Sequence, residues 1–236
     1  MKRRPNVDAD RPFSPGGTVT GIVASPRAPG RFTVMVDDRP AHTLNLAALE
    51  RLGIAVGATT LGREETIARE EAILATYDRA VMMLAARGRA AKDLERQLVR
   101  KGEPAEFARV AVERLASGGF VDDKSYARNF VRSKTRNAGL ARLRLQRELG
   151  RQGVERAIAA EAIAEVFEED AIDEVATAVA LATTRAYSLR GIDPQSQRRR
   201  LYSYLARRGY SPSVIAAAME TAANGRGNGP LFCSDQ

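Results

Sequence analysis

The sequence has 236 residues, 44% of them hydrophobic but only 6% aromatic, and a formal net charge of +8. This length fits one elongated helical body with a small extra module, or two ordinary domains. The excess of basic residues favours an anionic partner, either nucleic acid or an acidic protein surface. The single cysteine, Cys233, excludes an intrachain disulfide framework and a cysteine-based metal site. No apolar run reaches the ~18 residues of a membrane span and no secretory signal is visible, so we expect a cytoplasmic protein.

The N-terminal part is predicted to hold a disordered end and a small β module. Residues 1–16 are charged and proline-rich without apolar periodicity, which is typical of disorder. Phe32, Val34 and Val36 then alternate strictly with other residues, and this period of two indicates a strand. We therefore expect a two- or three-stranded sheet between residues 18 and 45.

Two further features complete this module, which we place at residues 17–63. The stretch Asp-Asp-Arg-Pro at 37–40 is expected to interrupt the strands. Residues 46–52, followed by Gly53, are predicted to form a short helix with a glycine stop.

From about residue 64 the apolar pattern is helical, and it repeats three times around a glycine. Each unit has leucine eight and four residues before the glycine, an apolar residue five after, alanine nine after and an apolar residue ten after. The glycines are Gly102, Gly153 and Gly209, and the leucines are Leu94, Leu98, Leu145, Leu149, Leu201 and Leu205. The two leucines share one helix face and the glycine ends that helix. Each unit therefore contains helix, glycine turn, helix.

The spacing of the units leaves room for a third helix in each, with candidates at residues 73–87, 122–137 and 170–190. The predicted fold is mostly α: three tandem three-helix repeats that form an elongated curved body, with the β module at the N-terminus. The repeats are placed at residues 64–118, 119–169 and 170–223. Residues 224–236 are glycine- and asparagine-rich and are predicted to be a flexible tail.

The middle repeat carries the strongest charge signal, which we call the basic ridge. Like charges four residues apart destabilise a helix by about 0.2–0.5 kcal/mol per pair, so a helix that needed only solubility would interleave glutamates. A solvated face is the alternative, but the pattern favours a partner-binding surface. The ridge consists of Lys124, Arg128, Arg132, Lys134, Arg136, Arg142, Arg144, Arg147 and Arg151.

Catalysis and metal binding are not expected. Asp122 and Asp123 open a helix, where carboxylates cap free N–H groups, so we predict capping rather than metal ligation. An acidic run from Glu161 to Glu174 is expected to be a solvated face or to contact the basic ridge of a neighbouring unit. His42 is the only histidine, and no phosphate-binding loop motif is present. We therefore expect no enzyme, no metal and no cofactor.

The stretch from Gly119 to Ala127, with its paired aspartates and the Tyr126-Ala127 pair, resembles the central signature of the RecX family. Gly153 continues that pattern, and the resemblance extends over about residues 70–222. Tyr126 is a departure, since phenylalanine is more usual there. Asp122, Asp123, Tyr126, Ala127 and Gly153 are interpreted as structural and capping members of the signature.

The resemblance implies a regulatory protein that binds the RecA filament, lies along its groove and restrains recombination and the linked ATP hydrolysis. From the lack of a long apolar run we expect no membrane contact, and we also expect a monomer. Single- or double-stranded DNA is a further candidate partner, because guanidinium groups bind phosphates and carboxylates alike.

The alternative hypothesis is a direct DNA-binding protein of the helix-turn-helix kind. Recognition in such proteins is concentrated in one helix. Here the basic residues extend over two helices of the middle repeat and appear again at Arg198, Arg199, Arg200, Arg207 and Arg208. Aromatic residues on a basic face would favour single-stranded nucleic acid. Tyr126 and Phe130 fit core positions better, and Tyr202, Tyr204 and Tyr210 are the candidate exceptions. The scarcity of such aromatics favours a protein or filament surface, with DNA as a further partner.

Overall fold

A computed structural model of the chain describes residues 16–26 and 28–224. The predictions of a disordered N-terminus and a flexible tail fall, for residues 1–15 and 225–236, outside the described residues. Within the described part the chain forms one three-stranded sheet followed by ten helices, which confirms a mostly α fold with a small N-terminal β module. None of these helices is both long and apolar enough to cross a membrane.

The sheet is an antiparallel meander in the order β1-β2-β3. The strands are β1 (Val19–Ala24), β2 (Arg31–Val36) and β3 (Arg39–Asn45). Val34, at the centre of the sheet, pairs with Ile22 on one side and His42 on the other. Its side chain is fully buried in a cluster that also contains Ile67 and Leu74. A two-stranded hairpin is marginal by itself, and here the third strand and the core shared with α2 stabilise the sheet.

The predicted interruption at residues 37–40 is too long. Only Asp37 and Asp38 form the turn, with φ of 49° and 64°, which suits a tight hairpin between twisted strands. Arg39 and Pro40 belong to β3. Proline is tolerated there because β3 is an edge strand and the pairing shifts beside it.

A short helix, α1 (Leu46–Arg51), follows the sheet as predicted. The Asn45 side chain caps it by accepting a hydrogen bond from the Ala48 backbone N–H at 2.9 Å. Gly53 then turns the chain with φ of 58°, a value that favours glycine.

The remaining elements are all helices, and the helix–glycine–helix pattern is confirmed in all three units. Gly102, Gly153 and Gly209 have φ of 97°, 90° and 90°, the left-handed conformation that ends a helix. All six predicted leucines are buried. The helices are α2 (Glu64–Ala86), α3 (Ala91–Arg100), α4 (Ala105–Ser117), α5 (Asp123–Ala138), α6 (Arg142–Gln152), α7 (Arg156–Glu169), α8 (Glu174–Ser188), α9 (Pro194–Arg207) and α10 (Pro212–Asn224).

The described residues divide into two compact units. The first contains the residues up to Met82 together with Leu98–Arg114, and the second contains Met83–Gln97 and the residues from Leu115 onward. The first unit holds the sheet. In the second, one core cluster is built around residues of α5, α6 and α7 and another around residues of α8, α9 and α10. All the surfaces considered below belong to this second unit.

Candidate partner-binding surfaces

The paired aspartates are helix caps. The Asp122 carboxylate accepts hydrogen bonds from the backbone N–H groups of Lys124 and Ser125, at 2.9 and 3.2 Å, and so opens α5. The hydrogen bond from the Ser125 hydroxyl, followed by its backbone N–H, lowers the pKa of Asp122. Asp123 instead accepts from the backbone N–H of Ala91 at 2.8 Å. One signature aspartate thus caps its own helix, and the other caps the start of α3.

The other signature residues serve packing. Ala127 is fully buried. A Cβ at Gly153 would lie 2.5 Å from the Lys92 Cβ, so only glycine fits this close approach. Tyr126 is half-buried, and this burial raises the pKa of its hydroxyl. These signature residues serve packing and capping, and Asp123 and Gly153 also join the middle repeat to α3 of the first repeat.

The first part of the basic ridge is paired with carboxylates inside the repeat. Along α5, each of the first three cations faces the acidic run on α7, and the hydrogen bond to Glu161 raises the pKa of Lys124. The pairs are Lys124 with Glu161 at 2.7 Å, Arg128 with Glu165 at 3.4 Å and with Glu169 at 2.9 Å, and Arg132 with Asp170 at 3.3 Å and with Glu169.

This pairing overturns the repulsion argument made from the sequence. The glutamates that would relieve the like-charge contacts are not interleaved on α5 but lie across from it on α7. The acidic run from Glu161 to Glu174 therefore contacts the ridge, both from the same repeat, through Glu161, Glu165 and Glu169, and from the start of the next, through Asp170 and Glu174. An external anion that binds Lys124, Arg128 or Arg132 therefore competes with these carboxylates.

Three further ridge residues also have partners within the described chain. Arg142 lies with its guanidinium carbon 4.0 Å from the centre of the Phe167 ring and its Nε 3.7 Å from Glu174. Arg144 pairs with Glu148 on the same helix at 2.8 Å. Lys134 places its Nζ 5.4 Å from the centre of the Phe130 ring, a cation–π contact.

The last three ridge residues are Arg136, Arg147 and Arg151. Their side chains are exposed, and none forms an ion pair with any residue that the structure describes. The nine predicted residues thus separate into six with partners of their own and three that are available to an external anion.

An open groove lies beside the ridge, and the sequence did not predict it. It has a volume of about 850 Å³, and Tyr126 and Phe130 line it while packing against the core on their other side. Phe120, 66% exposed, and Arg87 also line it. The two aromatics predicted as core residues are therefore only partly buried. The visible signal was Phe120, a large aromatic residue directly after two glycines.

A second basic surface lies on α8 and α9, and we call it the arginine–tyrosine surface. From residue 183 to residue 210 the sequence has seven arginines and one acidic residue, Asp193. None of these arginines forms an ion pair within residues 16–26 and 28–224. The surface consists of Arg185, Arg190, Arg198, Arg199, Arg200, Arg207, Arg208, Tyr187, Tyr202 and Tyr204.

Two family models match this chain, described as the second and the third three-helix domain of RecX, at residues 122–163 and 172–219. A regulatory protein RecX of Amycolatopsis mediterranei is 38% identical over 128 residues, which cover 54% of this chain and 71% of that protein. The chain belongs to the RecX family. The RecX protein of Trichlorobacter lovleyi is 36% identical over 150 residues, which cover 61% of this chain and 93% of the relative.

Solved RecX structures share the fold. A crystal structure of a regulatory protein RecX matches with a TM-score of 0.74 over 86% of this chain and 99% of that chain, at 19% identity. RecX from Lactobacillus salivarius matches with a TM-score of 0.54 over 65% of this chain and 97% of its own, also at 19% identity. The RecX resemblance predicted from the Asp122-Asp123 stretch is thus confirmed.

Proposed function

We propose that this chain binds the RecA recombinase filament and restrains its recombination and ATP hydrolysis. The relatives are named regulatory protein RecX, and a regulatory role follows from membership in that family. RecA as the partner and inhibition as the direction are our proposals. The chain would act by binding, in the cytoplasm and as a monomer, with any effect on ATP hydrolysis exerted through RecA.

The observation that carries the proposal is the set of available cations on the basic ridge. Arg136, Arg147 and Arg151 are exposed on neighbouring helices of one repeat and have no carboxylate partner in the described chain. Guanidinium groups make two-pronged hydrogen bonds to carboxylates and phosphates, and a nucleoprotein filament offers both. The other six ridge residues would contribute less, since each must first leave its present neighbour.

The test is binding of the fluorescently labelled chain to RecA assembled on single-stranded DNA with a slowly hydrolysed ATP analogue. The variant Arg136→Ser/Arg147→Ser should bind at least about tenfold more weakly, because each charged hydrogen bond contributes about 1.5–3 kcal/mol. Arg100→Ser/Lys101→Ser removes the same charge from exposed positions outside the ridge and should bind like the parent chain. Equal binding by both variants would remove the ridge from the proposed interface.

The same assay on bare single-stranded DNA separates the two candidate partners. A RecA regulator should prefer the coated filament, and the ridge variant should lose that preference. A parent chain that binds bare DNA far better than the filament would favour the direct DNA-binding alternative.

A further inference from the structure

We propose that the arginine–tyrosine surface binds single-stranded nucleic acid directly, with its arginines on the phosphates and Tyr202 stacked on a base. This inference goes beyond the proposed function because it requires no RecA. It concerns the third repeat, whereas the proposed RecA contact concerns the basic ridge of the middle repeat.

The geometry of α9 exposes the surface. Gln197, Leu201 and Leu205 recur every four residues and are buried, so they define the helix face that packs inward. Arg198 and Arg199, with the residues that follow each of them at intervals of four, lie on other faces of α9. Both arginines are exposed. The α9 surface that faces solvent is therefore the one rich in arginine.

A shallow depression between α8 and α9 gathers these groups. It has a volume of about 260 Å³ and is lined by four arginines and one hydroxyl: Arg185, Arg199, Arg200, Ser203 and Arg207. The Gln197 side-chain amide donates to the Ala186 carbonyl at 3.2 Å inside the protein and holds the two helices together. The arginines therefore extend from a fixed backbone, which lowers the entropic cost of binding.

The charge of this surface is not neutralised within the described chain. Asp193, the one acidic residue in the segment, accepts a hydrogen bond from the Ser196 backbone N–H at 2.8 Å as the cap of α9. The arginines have no carboxylate partner among the described residues, in contrast to Lys124, Arg128 and Arg132 on the ridge. The surface thus keeps a strong positive potential, which attracts phosphates.

The tyrosines decide between a nucleic acid and an acidic protein. Tyr202 is 46% exposed and Tyr187 is 67% exposed. The guanidinium carbon of Arg190 lies 4.0 Å from the centre of the Tyr187 ring, and those of Arg185 and Arg208 lie 5.5 and 3.8 Å from the centre of the Tyr204 ring. Exposed aromatic rings beside arginines can stack with unpaired bases. An acidic peptide has no bases to stack, and the bases of a duplex are already stacked on one another.

The test is fluorescence anisotropy with a labelled oligothymidylate and no RecA, using the full chain. Arg199→Ser/Arg207→Ser should bind about tenfold more weakly, and the slope of log affinity against log salt should become shallower by about 0.7 for each phosphate that the variant no longer binds. Tyr202→Ala should also weaken binding about tenfold, whereas Tyr202→Phe, which keeps the ring, should bind like the parent chain. Arg100→Ser/Lys101→Ser is the charge-matched control, and circular dichroism should show all variants folded.

Three results would overturn the inference. The first is equal affinity of the Arg199/Arg207 variant and the control, which would place any binding elsewhere. The second is unchanged affinity of Tyr202→Ala, or polyglutamate that displaces the labelled oligonucleotide as effectively as unlabelled oligothymidylate of equal charge, because either result would mean that base stacking contributes nothing and the surface binds anions in general. The third is no binding of oligothymidylate by the parent chain, a result that leaves RecA-filament binding through the ridge untouched.

Discussion

At the turn between α9 and α10, Gly209 meets two demands that only glycine satisfies together. Its φ is 90°, and a Cβ there would lie 2.5 Å from the Arg144 Cβ and 2.6 Å from the Arg144 backbone nitrogen. Gly191 has nearly the same φ, 87°, but a Cβ there would meet nothing within 4 Å. The two positions lie in the same compact unit. Comparing the same substitution at both therefore distinguishes the cost of backbone strain from the cost of steric overlap.

We expect Gly209→Ala to lower the free energy of unfolding by about 1–3 kcal/mol more than Gly191→Ala does. Both variants bear the cost of a left-handed alanine, roughly 1–2 kcal/mol, but only Gly209→Ala adds overpacking against backbone. Urea denaturation followed by circular dichroism measures the difference. Equal losses in the two variants would mean that the close approach to Arg144 is absent.

Tyr210 links the third repeat to the end of α5. Its buried hydroxyl donates a hydrogen bond to the Gly139 carbonyl at 2.9 Å, and burial raises its pKa to about 12. Tyr210→Phe should lower the free energy of unfolding by about 1 kcal/mol, since it leaves that carbonyl without its donor. Urea denaturation should show this loss as a lower midpoint concentration of urea, with an unchanged slope of the free energy of unfolding against urea concentration.

The pKa of Tyr210 also predicts a pH dependence. An unfolded tyrosine ionises near pH 10, so the folded state holds this proton more tightly. The stability that results is complete below about pH 10 and is lost as the pH rises towards 12. Ultraviolet titration of the folded chain should show one tyrosine ionising near pH 12 that is missing from Tyr210→Phe; identical titrations would contradict the assignment.

At the scale of elements, α5 and α7 are joined by a ladder of ion pairs as well as by an apolar seam. Arg132→Glu should destabilise the chain by about 1 kcal/mol, since it replaces partly exposed pairs with repulsion, and Asp170→Arg in the same chain should restore part of the loss. Arg147→Glu, at an exposed position without an ion pair among the described residues, should change little. A double-mutant cycle on the free energy of unfolding measures the coupling, and equal effects of the Arg132 and Arg147 variants would contradict the ladder.

This ladder shows where prediction from the sequence ends. The four-residue spacing of Lys124, Arg128 and Arg132 is visible in the sequence because it follows from helix geometry. The carboxylates they meet are about 40 residues away, and their register depends on how Val131 and Val166 pack in the core. Asp123 illustrates the same limit, since its capping of α3 at Ala91 joins residues 32 positions apart.

At the scale of the whole molecule, periodicity was sufficient to predict the fold class. The spacing of leucine and glycine around Gly102, Gly153 and Gly209 indicates a pair of helices in each repeat. Burial restricts the leucine positions to a few apolar residue types, and a left-handed φ favours glycine at the turn. The hairpin at Asp37-Asp38 was harder, since Pro40 usually signals a break and only the edge position of β3 makes it acceptable. Which cations face outward could not be predicted, because that depends on the tertiary structure.

The central claim, regulation of RecA, is tested most directly by titrating the purified chain into RecA that hydrolyses ATP on single-stranded DNA. We predict that the hydrolysis rate falls to a plateau as the chain saturates the filament. The variant Arg136→Ser/Arg147→Ser should reach that plateau only at a concentration about tenfold higher than the parent chain needs. The chain alone should hydrolyse no ATP. An unchanged rate at saturating chain, with the protein folded and binding to the filament confirmed separately, would contradict the account.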